Sequence, residues 1–280
     1  MKIAVFGGDK RMLFAARAFA DEGHEVLLAG FDHLISLCDI DICGWAQAAE
    51  QCDIAVLPVR PAAEGALNTP FSEKKIPMTE LMGLTADKPV FTGFADQVRA
   101  YAVGTVYDYS AEESFTLKNA ELTAEGAVGL LANEYEGAVC GTDILVTGYG
   151  RIGKILSAYL KTMGARVTAA ARKAADRRLI AESGLAPVDY PDIDFADYRV
   201  IINTVPALVM GQSAVDRMRD DVFLIELASA PGGFDLSRVR ERDLSCIRAQ
   251  GLPGKTSPLT AGTIIKDTIM NILTREHTPG

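Results

Sequence analysis

Apolar residues along this chain fall into short unbroken runs that alternate with longer stretches of helical spacing. Lys2–Phe6, Glu25–Ala29, Asp53–Leu57, Pro89–Thr92 and Thr105–Tyr107 are short apolar runs of the kind expected for strands covered on both faces. After the first of them, Gly7 and Gly8 turn the chain into a helix on which Met12, Leu13, Ala16, Phe19 and Ala20 share a stripe, and Gly23 ends it. Residues Leu117–Glu136 form one long periodic stretch, with Ala120, Ala124, Ala127, Val128, Leu131 and Tyr135 at three- and four-residue steps and Gly137 behind it.

A second series opens at Thr142. Asp143–Thr147 predicts a strand, Arg151–Met163 a helix ended by Gly164, and Arg166–Ala171 the next strand. Arg199–Asn203, Val222–Leu227 and Leu244–Ala249 predict further strands, and Thr260–Leu273 carries Ile264, Ile265, Ile269 and Leu273 along one helical stripe. The pattern predicts an α/β fold of two doubly wound parallel-sheet domains joined by a long connector helix, the second a Rossmann dinucleotide-binding domain. The expected boundaries are 1–118 together with the C-terminal helix 260–280 for the first domain, and 119–259 for the second with the connector.

The sharpest local signal is Gly148-Tyr149-Gly150-Arg151-Ile152-Gly153, which follows a strand, opens a helix and is followed by a second strand at the spacing of a dinucleotide-binding turn. In that turn the first glycine permits the bend, the second lets the backbone approach a diphosphate, and the third lets helix and strand pack closely. An enzyme that uses NAD usually carries an acid at the end of the next strand, to bind the ribose hydroxyls. Ala171 takes that place here and Arg172-Lys173 follow, so NADP is favoured over NAD, with Arg172 able to fork onto a 2′-phosphate. The loops Thr204-Val205-Pro206 and Ala228-Ser229-Ala230-Pro231-Gly232-Gly233 leave the carboxyl ends of strands, where open parallel sheets bind ligands. Thr204, Val205 and Pro206 are expected beside the nicotinamide ribose.

A net charge of −9 over 280 residues argues against nucleic-acid and anionic-membrane partners, and no stretch approaches the ~18 apolar residues of a membrane span. The chain opens without a signal peptide and is expected in the cytoplasm. Five cysteines, with Cys38, Cys43 and Cys52 loosely spaced and no CxxC pair, fit a reduced protein with no metal site. His24, His33 and His277 sit outside any position suited to a proton relay, so a His-dependent hydroxy-acid reaction is disfavoured and no catalytic acid or base is assigned. Lys10, Arg11, Arg60 and Lys255, with Ser229, are the candidate holders of an anionic substrate.

Ile3-Ala4-Val5-Phe6-Gly7-Gly8-Asp9, Leu57-Pro58-Val59, Ala124-Glu125-Gly126 and the glycine turn resemble the A subunit of dipicolinate synthase. So do Ile202–Pro206, Leu227–Gly233, Gly251-Leu252-Pro253-Gly254 and Thr260-Ala261-Gly262, in the same order along nearly the whole chain. The resemblance implies oxidation of a dihydropyridine dicarboxylate to pyridine-2,6-dicarboxylate with NADP, alongside a B subunit, in the mother-cell cytoplasm of a spore former. A homo-oligomer, a dimer, is expected, and by analogy with related two-domain dehydrogenases the last helix is expected to pack back on the first domain. One departure is Ala230, where the family pattern often has Arg before Pro-Gly-Gly. The alternatives are another two-domain NAD(P)-dependent dehydrogenase of a small amino or keto acid, or a non-catalytic subunit that binds NADP.

Overall fold

The computed structural model describes residues 1–37, 40 and 42–277. It divides into two compact units, one of Met1–Asn119 with the chain from Pro253 onward, the other Ala120–Leu252. In the first, β1 (Lys2–Phe6), β2 (Glu25–Ala29), β3 (Ile54–Val56), β4 (Val90–Thr92) and β5 (Val106–Asp108) form one parallel sheet in the order β2-β1-β3-β4-β5. The order reverses between β1 and β3, so the loops leaving those strands border the crevice where such sheets bind ligands. A short antiparallel hairpin, Ala62–Ala63 with Ala66–Leu67, follows β3; its tip residues Glu64 and Gly65 both have positive φ, as a tight hairpin turn demands.

The helix Lys10–Asp21 follows β1, and its stripe Met12, Leu13, Ala16 and Phe19 is buried. The C-terminal helix Pro258–His277 packs along it. Gly262 makes this close: a Cβ there would stand 2.6 Å from the Arg11 carbonyl oxygen and from the Ala15 nitrogen. The buried Lys266 ammonium pairs with Glu22 and Asp267, and Arg275 forks onto Glu112 at 2.8 and 3.0 Å. His277, expected in the terminal tail, instead belongs to this helix, because the apolar stripe continues through Ile272 and Leu273 to its last turns.

In the second unit, β6 (Asp143–Thr147), β7 (Arg166–Ala170), β8 (Ala186–Val188), β9 (Val200–Asn203), β10 (Phe223–Glu226) and β11 (Ser245–Arg248) form a parallel sheet in the order β8-β7-β6-β9-β10-β11. Numbered within the unit this is 3-2-1-4-5-6, the order of dinucleotide-binding sheets. Successive residues feed opposite faces: Ile144, Val146, Val200, Ile202 and Ile225 enter one core, Leu145, Ile201 and Leu224 the other. The connector helix runs Glu113–Glu134, starting four residues before its apolar stripe declares it; Ala124, Ala127 and Leu131 join the first of those cores.

Candidate functional site

Gly148 follows β6 directly and has φ +92°; a Cβ on it would meet Thr204 Oγ1 at 2.6 Å and Val205 Cγ2 at 2.8 Å. Gly153, on the first turn of the helix Arg151–Thr162, would put a Cβ 2.1 Å from the Gly148 carbonyl oxygen. Both positions therefore need glycine for the protein's own packing. Gly150 differs. Its φ of −79° and ψ of −163° suit any residue, and a Cβ there meets nothing within 4 Å. The space above Gly150 is open, which is what a turn that receives a diphosphate requires. Gly150 is also the N-cap of that helix and offers no side chain to its first N–H groups, which keep their positive potential for an anion.

The other residues of the turn have distinct positions. Tyr149 and Ile152 are half-buried and pack against the core, Tyr149 donating to Ser183 Oγ at 3.2 Å with Lys154 over its ring. Arg151 is exposed on the first turn.

The end of β7 lies beside the turn, with the Gly148 N–H donating to the Ala170 carbonyl at 3.0 Å. Arg172 and Lys173 are exposed there, Lys173 as N-cap of the helix Ala174–Glu182. Arg177 shapes this corner, donating to the carbonyls of Ala171 and Arg172 at 2.8 and 2.7 Å and pairing with Asp189 at 2.9 Å. Sequence reasoning missed Tyr190, which follows β8. Burial pushes its hydroxyl above the ordinary tyrosine value, while the Arg172 charge and the Gly148 backbone pull it back.

A polar row also escaped the sequence reading. Thr147, Asn203 and Glu226 end three adjacent strands and lie in register, all within 1% of full burial. Thr147 Oγ1 donates to Asn203 Oδ1 at 2.7 Å, and Asn203 Nδ2 donates to Glu226 Oε1 at 2.6 Å and to the Val205 carbonyl at 2.9 Å. The Val205 N–H returns to Asn203 Oδ1 at 3.1 Å. Glu226 then accepts the Ala228 N–H at 2.9 Å and the Gly233 N–H at 2.7 Å. Three side chains thus fix both loops at the carboxyl edge of the sheet. Thr204 donates to the Thr147 carbonyl at 2.8 Å and, with Val205, packs on Gly148; Pro206 and Ser229 are exposed on the two loops. The signal was present as polar residues ending apolar strands, but their register was not.

In the first unit the candidate cations separate. Arg11 is engaged by Asp9 through three contacts of 2.7–3.1 Å and keeps only 11% of its side chain exposed. Gly254 packs on this pair, a Cβ there falling 2.6 Å from Asp9 Oδ2. Lys10 is exposed, and Lys255 is exposed on a short helix of its own, Leu252–Thr256. Arg60, beyond β3, lies over the ring of Phe94, 5.8 Å from its centroid. Of the loosely spaced cysteines, Cys52 is buried and Cys43 half-buried, and Cys38 lies outside the described residues. Among the described residues no helix is long and apolar enough to cross a membrane.

The family defined by the N-terminal domain of the dipicolinate synthase A subunit matches residues 2–103. The A subunit of dipicolinate synthase from Bacillus subtilis (strain 168) is 28% identical over 288 residues, covering 98% of this chain and 96% of that protein. The crystal structure of the A subunit of dipicolinate synthase from Bacillus halodurans superposes with a TM-score of 0.88 at 27% identity, covering 99% of this chain and 98% of that one. A transhydrogenase from Sinorhizobium meliloti shares the fold, with a TM-score of 0.71 at 15% identity over 98% of this chain and 94% of that one. The chain is therefore similar to the A subunit of dipicolinate synthase through both units.

Proposed function

We propose that this chain is a nicotinamide-dependent oxidoreductase subunit that converts a dihydropyridine dicarboxylate into pyridine-2,6-dicarboxylate, with NADP as acceptor. The observation that carries the cofactor half is Gly150: an open position at a helix N-terminus on a sheet of 3-2-1-4-5-6 order, where the protein's own atoms impose no need for glycine. The similarity to the A subunit of dipicolinate synthase along the whole chain supports the substrate half.

When bound, the dinucleotide supplies a two-electron acceptor. The backbone amides of residues 149–153 would hold its diphosphate. The exposed Arg172 and Lys173, with no acid at Ala171 to repel it, would receive the 2′-phosphate. Thr204, Val205 and Pro206, held by Asn203, would line the nicotinamide ribose. Loss of a hydride and a proton from neighbouring ring atoms leaves an aromatic product, whose stability drives the reaction. The demand on a protein acid or base is correspondingly small, and orientation is the main contribution left to the chain. The same reading carries a homo-oligomeric state, work in the mother-cell cytoplasm during sporulation, and a B subunit for partner.

The test is turnover. Freshly generated dihydrodipicolinate and NADP are mixed with the purified chain, first by itself and then with the B subunit present, and ultraviolet absorbance follows the aromatic product. Product formed in step with NADPH supports the reading; no cofactor-dependent product under either condition overturns it.

A further inference from the structure

We propose that Asn203 is a positioning residue that holds the rim of the nicotinamide site rigid and, resting on the reaction above, aligns the nicotinamide for hydride transfer. The strands β6, β9 and β10 are neighbours in the sheet, and the glycine turn, the 204–206 loop and the 228–233 loop leave their carboxyl ends side by side. A dinucleotide whose diphosphate lies on the turn after β6, with its adenosine half toward Arg172 beyond β7, must lay its other half over β9 and β10. From β6 to β10 is two strand spacings, about 10 Å, so the nicotinamide end falls on the two loops.

Asn203 is fully buried and its amide is committed to the protein. Nδ2 donates to the Val205 carbonyl at 2.9 Å and to Glu226 Oε1 at 2.6 Å, and Oδ1 accepts from Thr147 Oγ1 at 2.7 Å and from the Val205 N–H at 3.1 Å. Those four bonds exhaust the group. Asn203 therefore acts on a ligand only through the loops it holds. The Pro-Gly-Gly segment is matched to it. A Cβ on Gly233 would stand 2.5 Å from Cγ, Nδ2 and Oδ1 of Asn203, and one on Gly232, at φ +84°, 2.8 Å from Glu226 Oε2. Both glycines thus seat the loop on the buried amide and carboxylate. Glu226 takes the N–H groups of Ala228 and Gly233 at the two ends of the loop, and the Gly232 N–H closes it on the Ser229 carbonyl at 2.9 Å. The Gly233 carbonyl in turn accepts the N–H groups of Val209 and Met210 at 3.1 and 2.8 Å, which ties the chain beyond Pro206 to the same point. Pro206 on one loop and Ser229-Ala230-Pro231 on the other are left exposed above this frame. A buried carboxylate carries a desolvation cost that an apolar core avoids. Stability alone does not call for this row; a fixed rim does.

Two variants of the full chain, Thr147→Val and Asn203→Asp, test this with NADPH as the probe. Thr147→Val keeps the shape of the side chain and removes the donor that orients the Asn203 amide. Both variants should bind NADPH within about threefold of the parent, because the diphosphate and 2′-phosphate contacts are untouched, yet the blue shift and gain in nicotinamide fluorescence on binding should fall by about half or more. In Asn203→Asp the new carboxyl faces Glu226, and a proton shared by the pair restores the bridge between them. The ionisable groups beside Glu226 are Cys246 on β11, its thiol pushed up to about 11 by burial and by the Glu226 charge, and Arg248, which partly offsets that. The fluorescence change of Asn203→Asp should therefore be larger at about pH 6 than at about pH 9, where the pair carries two charges, while that of the parent stays level. With dihydrodipicolinate, kcat of each variant should fall about tenfold and KM change less than about threefold. Thr147→Val alone decides the outcome where Asn203→Asp does not fold. Parent-like fluorescence in every folded variant, or a folded Asn203→Asp protein without the pH dependence, overturns the positioning role. If the fluorescence results hold and the parent does not oxidise dihydrodipicolinate, the hold on the nicotinamide stands and the proposed reaction falls. If the parent turns over and the folded variants match its kcat, the reaction stands and the positioning role falls.

Discussion

Glu226→Gln isolates the contribution of the polar row, because it keeps shape and removes one acceptor. The carboxylate receives three donors, Asn203 Nδ2 and the Ala228 N–H on Oε1 and the Gly233 N–H on Oε2, at 2.6, 2.9 and 2.7 Å. A glutamine carbonyl placed at the Oε1 position keeps the first two bonds, and its NH2 group then faces the Gly233 N–H. One buried donor loses its acceptor, at about 1–3 kcal/mol, and the two retained bonds lose their charge assistance, at about 1 kcal/mol each. Relief from burying a charge offsets part of this. The expected net destabilisation is about 2 kcal/mol. Urea unfolding should show a lower midpoint at unchanged slope, and the amides of Ala228 and Gly233 should exchange faster with solvent than those of the strand β6. A loss under about 0.5 kcal/mol, or unchanged protection of the Gly233 amide, would refute the assignment of Glu226 as the anchor of the 228–233 loop.

Arg172→Ala should weaken NADPH by about tenfold or more and NADH far less, since a charge-assisted contact is worth about 1.5–3 kcal/mol; fluorescence titration with both cofactors measures the difference, and equal losses would contradict the NADP preference. Tyr190→Phe removes the hydroxyl that the Arg172 charge and the Gly148 backbone act on and should weaken NADPH severalfold with little change in the unfolding midpoint. Glu112 has its carboxyl held below the usual value of 4.5 by hydrogen bonding from Arg275, so its contribution is present above that value and is lost as the pH falls through the lowered one. Thermal unfolding of Glu112→Gln should therefore differ from the parent at neutral pH and converge with it at a pH well below 4.5.

Both sheets were legible because their central strands are continuous apolar runs, which periodicity detects. β8 was not: Ala186-Pro187-Val188 is three residues long with a proline in the middle, tolerable only because it is an edge strand. The glycine turn after β6 was legible in full, since each glycine has a spacing. Its partners were not. That Thr204 and Val205 pack on Gly148, or that Thr147, Asn203 and Glu226 align, depends on strand order and register, which no local pattern carries. Phe94 was invisible for a different reason: its backbone is set by Asp108, which ends the next strand, and by Ser110 just after it, and a phenylalanine gives no sign of positive φ. Arg11 read as an available cation because the sequence does not show that Asp9, two residues before it, closes back onto its guanidinium.

The central claim is that the turn after β6 is built to hold a dinucleotide, and Gly150→Val tests it most directly. Valine suits the extended backbone at this position, and its Cβ meets no protein atom within 4 Å, so the chain should fold with an unfolding midpoint near that of the parent. The side chain would fill the space above the helix N-terminus. NADPH affinity should then fall by about tenfold or more. A folded Gly150→Val protein that binds NADPH as tightly as the parent would contradict the account.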